Sequence, residues 1–395
     1  MNARILTRGL AAPAIAGFFG VATAVAKLPA GLEGQIATLR AVGPEGEGNP
    51  AAAAAFKSIS ASDAGAILPL LQAIESSGPL ARNWLRSAVE VIVERELKAG
   101  KTLPVDDLKV FLLDTGQAPE ARRLAFDLMA EIDAASAEKL IPGFLNDPST
   151  ELRRDAVAQL VAAGKALTGK DDKPAAIATY RQALDSARDV DQIQEIAKEL
   201  SENLGQAVDL PLHFGFLTHW QVSGPFHNTG RAGFAAGFPP EKEIDLNAAY
   251  PGKDGTQVKW QPVASSDQYG KVDLNTPFSK LKEATAYAYT EFVAASARPA
   301  ELRLGCKNAW KLWLNGKLLF GRDEYHRGQR IDQYKFPVQL KEGKNTILVK
   351  LCQDEQKESW TVEWEFQLRV CDATGTAILS TDRPATPKAA EATAK

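Results

Sequence analysis

The sequence predicts an α+β multidomain chain: an N-terminal α-solenoid followed by an all-β jelly-roll sandwich. Three observations predict it. Up to residue 208 the chain is rich in Ala and Leu, with apolar residues at helical spacing. At Asp209 the composition changes abruptly: six of seven tryptophans and all four histidines lie beyond it. Across residues 300–371 apolar and polar residues alternate, the side-chain period of a strand with one buried face.

The chain opens with Arg4 and Arg8, then an uncharged apolar run over residues 9–22, then small-x-small sites at Ala22-Thr23-Ala24 and Ala24-Val25-Ala26. This pattern predicts a signal peptide over residues 1–26 and export to the periplasm or the exterior. The run is about 14 residues against the roughly 20 that a span needs, and no later segment is apolar enough to span.

Residues 27–208 read as helical repeats. The run Pro119-Glu-Ala-Arg-Arg-Leu-Ala-Phe-Asp-Leu-Met129 aligns with Thr150-Glu-Leu-Arg-Arg-Asp-Ala-Val-Ala-Gln-Leu160 at an offset of 31 residues. A looser copy starts at Leu80. Each follows a turn signal: Gly78-Pro79, Gly116 to Pro119, or Asp147-Pro148. These units resemble HEAT-type repeats. The pair of segments over residues 175–184 and 192–200 is similar to a tetratricopeptide hairpin. The resemblance implies stacked units, each unable to bury its own apolar face, that offer a surface to a protein partner. An N-terminal spacer is the plainer alternative.

Residues 209–380 read as the sandwich. Residues 216–226 form a first strand with Trp220 and Val222 on one parity. A long Gly- and Pro-rich segment follows over residues 227–256, and its Phe234, Phe238 and Tyr250 predict that it packs down. Strands resume at 258–263, 286–295, 300–306, 310–320, 335–340, 345–351 and 360–370, giving about nine in all. Asn315-Gly316, between two alternating runs, predicts a tight hairpin, because both central turn positions need positive φ. Trp360, Val362, Trp364, Phe366, Leu368 and Val370 share one parity and read as core. The tail over residues 381–395 is Ala-, Pro-, Thr- and Lys-rich and reads as disordered.

The motifs Trp220-Gln-Val-Ser-Gly-Pro-Phe226, Leu312-Trp-Leu-Asn-Gly-Lys317 and Lys344-Asn-Thr-Ile-Leu-Val-Lys350 resemble a galactose-binding-like β-sandwich. It is the version found beside helical repeats in exported proteins of planctomycete-type bacteria. The chain also resembles the sugar-binding sandwich of the anthrax protective antigen type. In that type a Ser-Asp-Asp-Gly precedes the hairpin, and its acids can hold calcium or sugar. Here Cys306-Lys307-Asn308-Ala309 stands at that place, and a lysine cannot replace a metal-binding carboxylate.

Candidate ligand-binding residues are Trp313, Arg322, Asp323, Tyr325, His326 and Arg327. Trp313 falls on the parity opposite to Trp310, Leu312 and Leu314. It must be covered by the 227–256 segment or stack on a ligand. The loop from Gly321 to Asp332 packs acids, arginines, a tyrosine and a histidine close together, suited to a sugar or a carboxylate. Surface salt bridges are the plainer reading of the same residues.

No catalytic residue, cofactor or metal site is expected. No Gly-x-Ser-x-Gly, phosphate loop, dinucleotide fingerprint or zinc spacing occurs. The net charge of −3 and the pI near 6.0 offer nucleic acid no general attraction. Cys306, Cys352 and Cys371 are expected as free thiols. Cys352 and Cys371 would lie at opposite ends of a shared hairpin, too far apart to bridge. The function expected is a non-enzymatic exported binding or scaffold protein, with a glycan or a protein as partner. The alternative is an accessory or catalytic part of polysaccharide breakdown, with the loop from Arg322 to Asp332 at the active site.

Overall fold

The computed structural model describes residues 31–387. The signal segment expected over residues 1–26 lies outside them. The chain divides between Ala134 and Ala135 into two compact units.

The first unit is helical. Its helices are α1 (Leu32–Arg40), α2 (Asn49–Ser60), α3 (Ile67–Glu75), α4 (Pro79–Lys98), α5 (Val105–Leu113) and α6 (Pro119–Ile132). They pack as successive pairs, α1 on α2, α3 on α4 and α5 on α6, with α3 also against α6. Pro79 and Pro119 begin α4 and α6, where a missing N–H costs nothing. Leu70, Leu85, Val89, Leu112 and Ala125 are fully buried, so the apolar stripes of these helices face one another.

The short α7 (Ala134–Glu138) spans the division, and the second unit continues with α8 (Thr150–Gly169), α9 (Lys173–Ser186), α10 (Val190–Lys198) and α11 (Leu210–Phe214). The Ser149 hydroxyl caps α8 by accepting from the Leu152 N–H. The internal sequence similarity has a structural counterpart. Arg82, Arg122 and Arg153 occupy matching places in the first turn of α4, α6 and α8. Each donates its Nε to a carbonyl that precedes its helix: Ser77 at 2.8 Å, Leu112 at 2.7 Å and Asp147 at 2.8 Å.

The β part holds eleven strands and one short helix, α12 (Asn275–Phe278). The strands are β1 (His219–His227), β2 (Ala249–Pro251), β3 (Gln257–Ala264), β4 (Val272–Asp273), β5 (Ala284–Ala294), β6 (Arg298–Cys306), β7 (Ala309–Leu314), β8 (Lys317–Arg322), β9 (Tyr334–Leu340), β10 (Gly343–Gln353) and β11 (Glu365–Cys371). The two additional strands are the short β2 and β4, which carry too few residues to show a period. One sheet runs β2-β3-β1-β5-β10-β7-β8 and the other β4-β11-β6-β9, with antiparallel pairing throughout. Together they form a sandwich.

The inner faces carry the alternation read from the sequence. Trp220, Ala288, Phe292, Leu302, Leu304, Trp310, Leu312, Val349, Trp364, Phe366 and Leu368 form one core. Asn315 and Gly316 turn the β7–β8 hairpin with φ of 51° and 76°, the positive values that turn requires.

Three expectations are corrected. Trp360 does not continue the buried stripe: it sits in a 3₁₀ turn, Ser359–Thr361, and is 56% exposed, so only Trp364, Phe366, Leu368 and Val370 are core. Nor do Cys352 and Cys371 share a hairpin. Cys352 is on β10 and Cys371 on β11, in different sheets, and all three cysteines are free and buried. The tail also differs at its start. Thr381 donates its N–H to Val293 O, and Arg383 donates to Pro211 O. The described residues 381–387 therefore begin by lying against the fold; residues 388–395 are outside those described.

Helices α8–α11 pack on the sandwich through Phe214, Phe216, Tyr269 and Ile331. A buried charge cluster joins the same regions. Asp332 accepts from Arg369 at 2.6 Å and 2.7 Å and from Arg303 at 2.7 Å, while Arg369 also donates to Phe214 O and Gly375 O.

Candidate functional site

Strand pairing brings the C-terminal ends of β1, β8 and β10 to one end of the sandwich, beside the turn from β6 into β7. Three loops meet there: the start of the 228–248 segment, residues 323–333, and residues 354–364.

Asp354 is the centre of this meeting and its side chain is fully buried. Its Oδ1 lies 2.8 Å from His326 Nε2, and its Oδ2 accepts from Arg231 Nη2 at 3.1 Å. One residue from each loop is thus tied to its neighbours. Asn228 reinforces the tie by donating Nδ2 to the Tyr325 hydroxyl at 3.1 Å and to Gln353 O at 2.9 Å. The Arg231 guanidinium covers the Tyr325 ring at 4.9 Å. Arg231 also pairs with Glu355, whose hydrogen bond is the largest reason its guanidinium is held still more firmly charged. Burial pushes the Tyr325 hydroxyl well above the usual phenol range, so it stays neutral.

Trp360 stands over this arrangement. Its indole meets the His326 ring edge-on at 5.3 Å while more than half of it faces solvent. Below, Asn308 donates to Gln353 Oε1 and Glu363 O and accepts from the His326 N–H. Lys307 pairs with Glu363 and donates to Trp360 O. Among the described residues no group of three or more His, Cys, Asp or Glu side chains could hold a metal ion.

The six sequence candidates divide. Tyr325 and His326 are integral to the cluster. Arg322 ends β8 and Arg327 lies on the loop that follows, and both pair with Glu324, at 2.8 Å and 3.2 Å. The Arg322 hydrogen bond holds the Glu324 carboxyl below its ordinary range. Asp323 is exposed beside them. Trp313 belongs elsewhere. It is 7% exposed on the outer face of the larger sheet, among Phe226, Trp260, Tyr287, Tyr289 and Leu348, with Phe238, Ile244 and Tyr250 of the long segment packed against the set. Cover by that segment is what the structure provides. Lys350 anchors it: fully buried, it donates to Glu241 at 2.8 Å and to Phe234 O at 3.2 Å.

Sequence reasoning missed Asn228, Arg231, Asp354 and the exposed Trp360. The Gly- and Pro-rich opening of the long segment was a signal for Asn228 and Arg231. Asp354 had none, because its meaning comes from pairing with residues 28 and 123 positions away, His326 and Arg231. His219 and His227 serve locally: His219 Nδ1 lies 3.1 Å from the Thr218 hydroxyl, and His227 Nε2 accepts from the Asp254 N–H.

No protein-family model matches the chain, and no curated protein matches its sequence. Among solved structures it is similar to a family 35 carbohydrate binding module from Clostridium thermocellum, at 16% identity and a TM-score of 0.17, over 22% of this chain and 72% of that one. It is similar to a β-glucosidase from Kluyveromyces marxianus at 14% identity and a TM-score of 0.25, over 45% of this chain and 22% of that one. It is similar to a GH31 α-xylosidase from Xanthomonas citri at 11% identity and a TM-score of 0.21, over 39% of this chain and 17% of that one. The chain thus matches about a fifth of the length of each of these two glycosidases.

Proposed function

We propose that the sandwich is a non-catalytic binding module for an uncharged glycan, with Trp360 as its stacking platform. The observation that carries this reading is an exposed indole mounted on a buried, hydrogen-bonded base. An apolar face that large, left in water and held in one orientation, is what the faces of a sugar ring stack on. The neighbouring charges favour a neutral ligand, since Arg231 is paired with Asp354 and Glu355, Arg322 and Arg327 with Glu324, and Lys307 with Glu363.

The same pairing argues against catalysis of glycosidic cleavage by the loop. A general acid there needs a carboxyl whose pKa is raised, and Glu324 is lowered by its arginines.

The helical part is read as HEAT-like repeats that present a surface to a protein partner, in an exported chain of the planctomycete type. The recurring arginine-to-carbonyl bonds of α4, α6 and α8 support repetition.

A glycan array probed with the full chain and with Trp360→Ala tests the proposal. Binding to at least one neutral oligosaccharide, lost in Trp360→Ala, is expected. An array silent for the wild type, or signals unchanged by the substitution, would refute it.

A further inference from the structure

A cleft lies on the outer face of the smaller sheet, under the same 323–333 loop that carries Tyr325 and His326. It measures about 440 Å³ and opens between α10 and the loop over residues 329–331. That volume is within the range of small-molecule sites, roughly 300–1,000 Å³. The strand parity explains its chemistry. Phe366, Leu368 and Val370 of β11 point into the core, so Glu365 and Gln367 face outward into this cleft.

Two side-chain amides meet there with their hydrogen bonding half finished. Gln329 donates its Nε2 to Gln367 Oε1 at 3.3 Å. The other atom of each amide, Gln329 Oε1 and Gln367 Nε2, is buried and has no partner. Turning both amides over leaves the same balance of one spare acceptor and one spare donor. Gln367 is only 3% exposed, so its spare group is shut off from bulk water, and an unmet buried donor is costly to leave unpaired.

The surroundings fit a ligand that supplies both missing partners. A hydroxyl group donates and accepts at one oxygen, so a single one answers the spare N–H and the spare C=O together. Beside them Lys271 Nζ lies 3.6 Å from the Glu365 carboxylate, a second donor and acceptor for a neighbouring hydroxyl. Burial raises the Glu365 carboxyl above its ordinary value, a cost that a hydroxyl donor would relieve. Tyr269, whose ring packs on Phe214, forms a rigid wall. Gly305 keeps the cleft's loop close. A Cβ there would come within 2.5 Å of Arg330 O, so no larger residue lets the loop descend onto the sheet.

We propose that this cleft binds an uncharged polyol the size of one sugar residue, with Gln329 and Gln367 gripping one hydroxyl and Glu365 and Lys271 the next. The cleft shares the 323–333 loop with the Trp360 platform but uses other side chains of it, so the proposal stands whether or not that platform binds.

Saturation-transfer NMR on the full chain with the methyl glycosides of glucose, galactose, mannose and xylose tests it. At least one is expected to give a signal that weakens about five- to tenfold in affinity with Gln367→Leu and again with Gln329→Ala. The same signal should persist in Trp360→Ala, and both glutamine variants should still unfold in a single cooperative thermal transition. Gln329 is on a loop, so its variant reports on the site even if Gln367→Leu disturbs β11. Silence across the four glycosides overturns the proposal. So does a signal that survives both glutamine substitutions, or one that disappears only with Trp360→Ala.

Discussion

Asp332 offers a clean perturbation, because one carboxylate holds two buried arginines. Its side chain is mostly buried and accepts from Arg369 through both oxygens and from Arg303 through one. Asp332→Asn keeps the size and the tolerance of positive φ, here 60°, while removing the charge and turning one of the two acceptor oxygens into a donor NH2. Leaving a buried ion without its partner costs about 3–5 kcal/mol. Both arginines keep other acceptors, Arg303 the Glu301 carboxylate and Arg369 two backbone carbonyls, so about 2–4 kcal/mol is expected. For a domain of this size that lowers Tm by about 5–15 °C.

The pH dependence gives a second handle on the same residue. Burial alone would raise the Asp332 carboxyl, but the Arg369 and then the Arg303 interactions outweigh it and hold it below its ordinary value. Its stabilisation is therefore complete above the ordinary aspartate pKa of about 3.9 and is lost as pH falls through the lower folded value. The gap between wild type and Asp332→Asn should be constant near neutrality and should close below about pH 4. Scanning calorimetry at neutral and acid pH measures both. A shift under about 1 kcal/mol at neutral pH, or a gap unchanged in acid, would refute the ion-pair reasoning.

Three further outcomes are expected. Gly305→Ala should cost about 1–3 kcal/mol in a denaturant titration, since its methyl would meet the Arg330 carbonyl oxygen at 2.5 Å. Lys350→Met removes the cation from the Glu241 carboxylate, which keeps the Tyr287 hydroxyl, so hydrogen exchange over residues 234–250 should speed up while the two-sheet core stays protected. The three thiols should not react with Ellman's reagent in the native protein at pH 8 and should all react in guanidinium. Burial pushes Cys306 to about 12 and Cys352 and Cys371 to about 11.

What was legible in the sequence was local. Alternation placed Leu302, Leu304, Trp310, Leu312 and Phe366 in the core, and Asn315-Gly316 marked a hairpin, because both signals depend on neighbours along the chain. Trp360 was misread by extending the parity of β11 backwards through a 3₁₀ turn, where a period of two has no meaning. The separation of β10 and β11 into different sheets was illegible for a related reason. An intervening loop of this length suits either a hairpin or a crossing, and the choice is made by long-range pairing with β5 and β6. Half of the candidate site was visible as the dense loop holding Tyr325 and His326. The other half, Arg231 and Asp354, gains its meaning only when the strand ends converge.

The measurement that bears most directly on the central claim is a titration followed through indole ¹⁵N–¹H resonances. The chain has seven tryptophans, and the signal missing in Trp360→Ala identifies the one that matters. With a neutral oligosaccharide selected on the array, the account predicts that the Trp360 resonance moves in a saturable way while those of the buried Trp310 and Trp364 stay still. A Trp360 resonance that remains fixed while the sugar binds would contradict it.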